Sequence, residues 1–283
     1  LKIARNYGSK KGKDEIIAMT SSFHGRTIGA LSVGSNKKYK TDIGPVPGKV
    51  KFCKFNDVSH LKKLVNKKTI AIIIEFIQGD GGINICSKTF AKAIKDICKN
   101  KKILLIGDEI QGGIGRTGKI FAYKHYGVNP DIITSAKGLG SGIPIGATIV
   151  KKYISNIIST GFHGSTFGGG MLQTRVSYNV LKSINTKYFL NKVLINGKLL
   201  SSLLRKMHDN HKDKIVDTRC LGLMAGIEFK NDKIALNTYN KMARNGLIST
   251  LIQGKIIRLT PPLIVSKIEI NKAILIVAKS LLN

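Results

Sequence analysis

No tryptophan occurs among the 283 residues, prolines number only 6 and cysteines 4, and 16 acidic residues face 47 basic ones. Each shortage excludes something. Cys53, Cys86, Cys98 and Cys220 have neither CxxC spacing nor a nearby histidine cluster, so they read as reduced, mostly buried thiols and not as zinc ligands. No uninterrupted apolar run approaches the roughly 18–20 residues that a bilayer span needs, and "IAIIIEFI" is cut by Glu75. Residues 1–15 lack the apolar stretch that follows the basic residues of a signal peptide. The expectation is a soluble, cytoplasmic chain without a membrane partner.

The scarcity of acid leaves a formal net charge of +31, which raises the question of a nucleic-acid partner. The basic residues are 39 Lys and only 8 Arg, scattered along the whole chain without a dense block or an interleaved aromatic series. Nucleic-acid readers rely on arginine forks and stacking aromatics. The charge therefore reads as compositional drift towards Lys, Ile and Asn, and no nucleic-acid partner is expected.

What the chain does have is one design repeated: a β-branched apolar run that ends at a functional-looking residue and then glycines. "TIAIIIEFIQGDGG" ends its run at Glu75, "KILLIGDEIQGGIGRTG" at Asp108, and "DIITSAKGLGSG" just before Lys137. These residues lie 33 and 29 positions apart, about one strand–helix–strand unit each. Between the first two, Phe90, Ile94 and Ile97 recur at helical spacing. Near-continuous apolar strands joined by helices imply a parallel sheet covered on both faces. The carboxyl ends of such strands share one edge, where ligands bind, so Glu75, Asp108 and Lys137 are expected to converge. From about residue 171 the pattern changes to consecutive helices, strand-like stretches on either side of Gly222, a helix around 233–245 and a terminal helix. A larger domain over 1–185 and a smaller α+β domain over 186–283 are expected.

A lysine in an apolar, glycine-lined pocket can lose its proton and attack a carbonyl. With a carboxylate on the neighbouring strand, it suits pyridoxal 5'-phosphate, which needs a lysine for its aldehyde and an acid beside its pyridine nitrogen. A buried Asp–Lys ion pair is the competing reading. His24, His125 and His163 show no metal-ligand spacing, and no metal is expected. Gly115, Gly118, Gly138 and Gly140 read as turn residues, which permit positive φ.

"SSFHGRT", "DEIQGGIGRTG", "SAKGLG", "HGSTFGG" and "IIRLTPPL" follow one another over essentially the whole chain. In this order and spacing they resemble the class III pyridoxal-phosphate aminotransferases, with the fold type I architecture: an α/β fold whose mostly parallel sheet is covered by helices, plus a smaller C-terminal α+β domain. The resemblance implies Lys137 as the cofactor-bound, proton-moving lysine and Asp108 as the acid on the pyridine nitrogen. It further implies Phe23 stacked on the ring and Gln111 at the ring hydroxyl. Arg26 would clamp the substrate's α-carboxylate, and Arg258 a second carboxylate with Asp80 as its switch partner. Ser165 and Thr166 would reach the substrate and the cofactor phosphate across the interface of a homodimer.

"FHGRT", with His24, resembles the acetylornithine type more than the ornithine type. It implies N-acetylornithine, or succinyl-diaminopimelate, as amino donor and 2-oxoglutarate as acceptor, within arginine and lysine biosynthesis. Another ω-aminotransferase, of the ornithine or 4-aminobutyrate type, and a non-catalytic remnant of the fold are the alternatives. Departures from the family pattern are Phe76 for proline, Asp80 for glutamate, Gly107 for a larger residue and "GGGMLQ", with Gly170 and Met171, for "GGNPLA". "LKIARNYG" resembles the helix that follows the family's phosphate-binding loop, so that loop is expected upstream of a truncated start.

Overall fold

The computed structural model describes residues 1–282. In chain order, helix α1 (Lys2–Ser9) leads to strand β1 (Glu15–Met19), α2 (Ile28–Val33), β2 (Lys49–Cys53), α3 (Val58–Leu64) and β3 (Thr69–Ile74). A short hairpin, β4 (Ile77–Gln78) and β5 (Asn84–Ile85), precedes α4 (Lys88–Lys101), β6 (Leu104–Asp108), β7 (Ile132–Ser135), β8 (Ala147–Val150) and α5 (Lys152–Ser155). Six of these strands form one sheet in the order β2-β1-β3-β6-β7-β8, parallel except for the antiparallel edge strand β8.

The physical reason is the one the sequence carries. Every residue of β3 and β6 is buried, because both faces of the sheet are covered and a β-branched run loses nothing by pointing either way. Phe90, Ile94 and Cys98 of α4 pack into the core on one face, while Ala4 of α1 joins Ile16, Ile70, Ile73 and Leu104 on the other. Helix α4 starts where Ser87 accepts a hydrogen bond from the Phe90 amide and stops at Lys102, whose φ of 50° ends the helix in the left-handed region.

Beyond residue 170, α6 (Met171–Ile184) and α7 (Lys187–Asn210) meet at Asn185 and Thr186, the latter capping α7 through the Phe189 amide. Strands β9 (Ile215–Leu221), β10 (Met224–Phe229), β11 (Thr250–Ile252) and β12 (Ile256–Leu259) form an antiparallel sheet in the order β11-β12-β10-β9. Helices α8 (Asp232–Arg244) and α9 (Lys267–Leu281) cover it, α9 opening with a full capping box between Ser266 and Glu269. The four cysteines are free, and burial pushes the thiols of Cys53, Cys86 and Cys220 up to about 12. Among the described residues no helix is long and apolar enough to cross a membrane.

Candidate active site

Parallel pairing sets the strand ends side by side. Ile74 lies opposite Gly107, and Asp108 opposite Thr134, so Glu75, Asp108 and Lys137 leave the sheet along one edge. Asp108 is buried with both oxygens engaged. Its Oδ1 accepts from the Ile110 amide at 3.1 Å and the Thr134 hydroxyl at 3.2 Å, while Oδ2 lies 2.6 Å from His24 Nδ1. Glu75 accepts from the Phe23 amide at 2.9 Å and the Gly79 amide at 3.3 Å. The loop carrying Phe23 and His24 is thus fastened to the ends of β3 and β6.

Lys137 corrects one expectation. It stands exposed, not enclosed in an apolar pocket, and opens a short 3-10 turn with φ of 46°. A non-glycine residue held there stores about 1–3 kcal/mol, which persists at functional sites. The glycines divide. Gly115 and Gly118 have φ of 82° and 81° as expected, whereas Gly138 and Gly140 have no positive φ. Gly140 is needed for another reason: a Cβ there would collide with the Ile143 carbonyl oxygen. The strain of this turn sits on Lys137 and Ser141.

A second cluster spans the two sheets. Arg258 Nη1 donates to Asp80 Oδ1 at 3.0 Å and to Gln111 Oε1 at 3.2 Å, and Gln111 Nε2 donates to Asp80 Oδ2 at 3.3 Å. The short Asp80 side chain therefore reaches Arg258, and Gln111 closes the triangle. Gly79 leaves room for it, since a Cβ there would collide with the Gln111 amide. Arg26 is exposed and lies 4.0 Å from the centre of the Tyr39 ring and 5.8 Å from that of Phe23.

Ser165 and Thr166 are exposed in the turn before α6, and among the described residues their side chains make no hydrogen bond to either cluster. Ser165 lines a cavity of about 1010 Å³ together with Leu1, Gly146 and the Thr134 that holds Asp108. Phe23 and Asp80 line a smaller one of about 380 Å³ with Tyr39 and Gln253. The predicted residues thus form two clusters, with the Ser165–Thr166 turn outside both.

The sequence pattern of Aminotransferase class-III matches residues 1–281. Acetylornithine aminotransferase from Methanocaldococcus jannaschii is 40% identical over 277 residues, 97% of this chain and 69% of that protein. The chain belongs to the class III aminotransferases. Ornithine aminotransferase 1 from Staphylococcus saprophyticus is 38% identical over 288 residues, 99% of this chain and 72% of that protein. Among solved structures, the ornithine aminotransferase of Toxoplasma gondii, with partial occupancy of pyridoxal phosphate at its active site, superposes with a TM-score of 0.93. It is 30% identical over 99% of this chain and 68% of its own.

The cofactor of a class III aminotransferase is pyridoxal phosphate, and the residues present fit it. A buried carboxylate and a primary amine end adjacent strands, and His24 Nε2 beside them is buried without a partner among the described residues. Such an orphaned ring nitrogen marks a place where a polar group is to be met. The Phe76 ring stacks on Tyr126 at 5.3 Å, and a Cβ at Gly107 would lie 2.9 Å from Pro130 Cγ, so Pro130 is what leaves no room for a larger residue there. His24 is the residue sequence reasoning missed in this aminotransferase. That reasoning weighs it only as a metal ligand and as a subtype marker, and its place directly after Phe23 is the available signal.

Buried titratable groups give this aminotransferase a pH signature. Burial pushes the Glu109 carboxyl up to about 7, against the Ala122 and Tyr123 amides that donate to it. Burial raises Glu75 as well, against His24, with Asp108 adding to the rise. Burial pulls His24 down, but its hydrogen bond and attraction to Asp108 outweigh that and leave it raised. In all three the folded chain holds its proton more tightly than the unfolded chain, so stability falls as pH rises through 7. His125, which burial pulls down, works the other way. Urea midpoints at pH 6 and pH 8 should show a fall in the parent and a smaller fall in Glu109→Gln. Equal falls would show that Glu109 titrates normally.

Proposed function

We propose that the chain moves an amino group from N-acetylornithine, with succinyl-diaminopimelate as a second donor, to 2-oxoglutarate in arginine biosynthesis. The reading is carried by the Asp108 carboxylate, oriented by His24 and Thr134, at the strand end next to the one that delivers Lys137 in a strained turn. When bound, pyridoxal phosphate supplies an electron sink that acidifies the carbon bearing the amino group. Asp108 holds a proton at the pyridine nitrogen, and His24 and Thr134 keep the carboxylate pointed there. Phe23 would cover the ring face, and Gln111, whose amide holds Asp80 and Arg258 in this structure, would meet the ring hydroxyl. Lys137 Nζ takes the proton from the amine-bearing carbon and returns it, as general base and then acid.

Substrate carboxylates meet arginines. Arg26, in no ion pair among the described residues and braced on Tyr39, takes the α-carboxylate, a task suited to a planar fork. Arg258 takes the second carboxylate of the oxoacid and otherwise rests on Asp80. Its Nε is buried without a partner among the described residues, which supports an incoming acceptor. The ornithine reading is the second one, favoured by the two ornithine aminotransferases above. Stopped-flow absorbance near 400–430 nm with a panel of amino donors decides between them. N-acetylornithine should react at least tenfold more efficiently than ornithine or 4-aminobutyrate, and the reverse order would overturn the assignment.

The working unit is a cytoplasmic homodimer of protomers divided at residues 185 and 186, with small molecules and no nucleic acid or membrane as further partners. Exposed Phe167, Met171 and Leu172, at 83, 89 and 66% accessibility, run on from Ser165 and Thr166 and support an interface there. Gly170, which caps α6, and Met171 then shape that interface in place of the family's usual residues. Ser165 and Thr166 would enter the partner's site. Sedimentation should give a dimer, and an active monomer would exclude this arrangement.

A further inference from the structure

Arg116 is a half-buried cation that none of these roles uses. It lies in the loop between β6 and β7, five residues after Gln111. Its Nη1 donates to the Leu223 carbonyl at 3.0 Å and to the Pro261 carbonyl, and its own carbonyl accepts from the Leu223 amide at 3.0 Å. The ion pairs among the described residues employ Arg219 and Arg258 but not Arg116. Burial pulls its guanidinium down to about 10, the sign of a desolvated charge whose partners are carbonyl dipoles alone. A charge left in such a place is costly unless its hydrogen bonds are made.

The two carbonyls sit together at one end of the β10–β12 pair, just beyond the strand that carries Arg258. Leu223 immediately precedes β10, in which Gly226 pairs with Arg258, and Pro261 follows Arg258 by three residues. The same loop holds the Arg258 side chain through Gln111. Around it the packing leaves little play. A Cβ on Gly118 would collide with Leu194 of α7, and one on Gly222 would lie 2.5 Å from the Thr117 backbone. The loop is thus wedged between α7 and the turn joining β9 to β10.

We propose that Arg116 is a positioning residue for the oxoacid half of the reaction: by gripping the Leu223 and Pro261 carbonyls it fixes β12, and with it Arg258, at the distance from Asp80 and Gln111 that admits a second carboxylate. The proposal rests on Arg258 as the carboxylate-binding arginine. Arg116 touches no substrate; it acts through the strand. Without its guanidinium the two carbonyls lose their charged donor, β12 shifts, and the Arg258 fork is misaligned for a dicarboxylate. The amino donor, whose carboxylate goes to Arg26, loses little.

The test uses the cofactor-loaded protein with Arg116→Met, which keeps the length but no donor, and Arg116→Lys, which keeps the charge. Calorimetry with glutarate, an unreactive dicarboxylate, reports binding without turnover, and single-turnover absorbance reports each half-reaction. Arg116→Met should weaken glutarate binding and raise the KM for 2-oxoglutarate at least tenfold, with the donor half-reaction within about threefold of the parent. Arg116→Lys should recover part of both losses. An Arg116→Met protein that binds glutarate like the parent, or loses both half-reactions equally, overturns the proposal. If Arg116→Met does not fold, Arg116→Lys carries the test alone, and no KM difference between the two half-reactions overturns it. Arg258→Gln separates this from the reading beneath it: unchanged glutarate binding there would remove the carboxylate role of Arg258 itself.

Discussion

Lys137→Ala should abolish transamination, with a loss at or above about 10⁴-fold, the upper end for a positioned proton-transfer group. On the proposed mechanism two functions would go at once: the amine that holds the cofactor's aldehyde and the base that moves the proton. The fold should survive, because the side chain is exposed and makes no hydrogen bond among the described residues. Alanine inherits the φ of 46°, so the backbone strain is unchanged. Thermal unfolding within a few degrees of the parent, together with the kinetic loss, would assign the effect to chemistry. Activity within about tenfold of the parent would remove Lys137 from the reaction.

Asp108→Asn should cost about 10²–10⁴-fold, as expected when a proton-transfer partner is lost. The amide is isosteric and can keep the Ile110 and Thr134 contacts, so the geometry should be retained. What is lost is the negative charge, which holds a proton on the pyridine nitrogen and on His24. A visible consequence follows. The absorbance of the bound cofactor should shift with pH differently from the parent, as the ring nitrogen is no longer kept protonated. A variant within about threefold in kcat/KM would make Asp108 a structural residue only.

How much of this was legible beforehand depends on the range of the interaction. The ends of β3, β6 and β7 could be read because apolar β-branched runs and their 30-residue spacing are local features that tertiary packing reinforces. The Arg258–Asp80 contact could be anticipated through the family likeness of "QGDGG" and "IIRLTPPL", and the structure adds that Gln111 bridges the pair. His24 and Asp108 lie 84 residues apart, and no periodicity announces a pairing of that kind. The exposure of Lys137 could not be read either. Its neighbours Ala136, Gly138 and Leu139 are small or apolar, but of these the turn buries only Leu139 and leaves Lys137 and Gly138 outside. The reason for Gly107 could not be read either, since its tight neighbour is Pro130, 23 residues on and brought beside it only by the fold.

The central claim is that Lys137 carries the cofactor. Borohydride treatment of the protein with pyridoxal phosphate, followed by proteolysis and mass mapping, tests it most directly, because reduction fixes the cofactor on whichever amine holds it. The chain offers 38 other lysines for non-specific labelling, so the demand is strict. The account predicts a single saturating adduct on Lys137, formed at stoichiometric cofactor and reduced by an amino donor added beforehand. An adduct spread over many lysines, or concentrated on one other than Lys137, would contradict it.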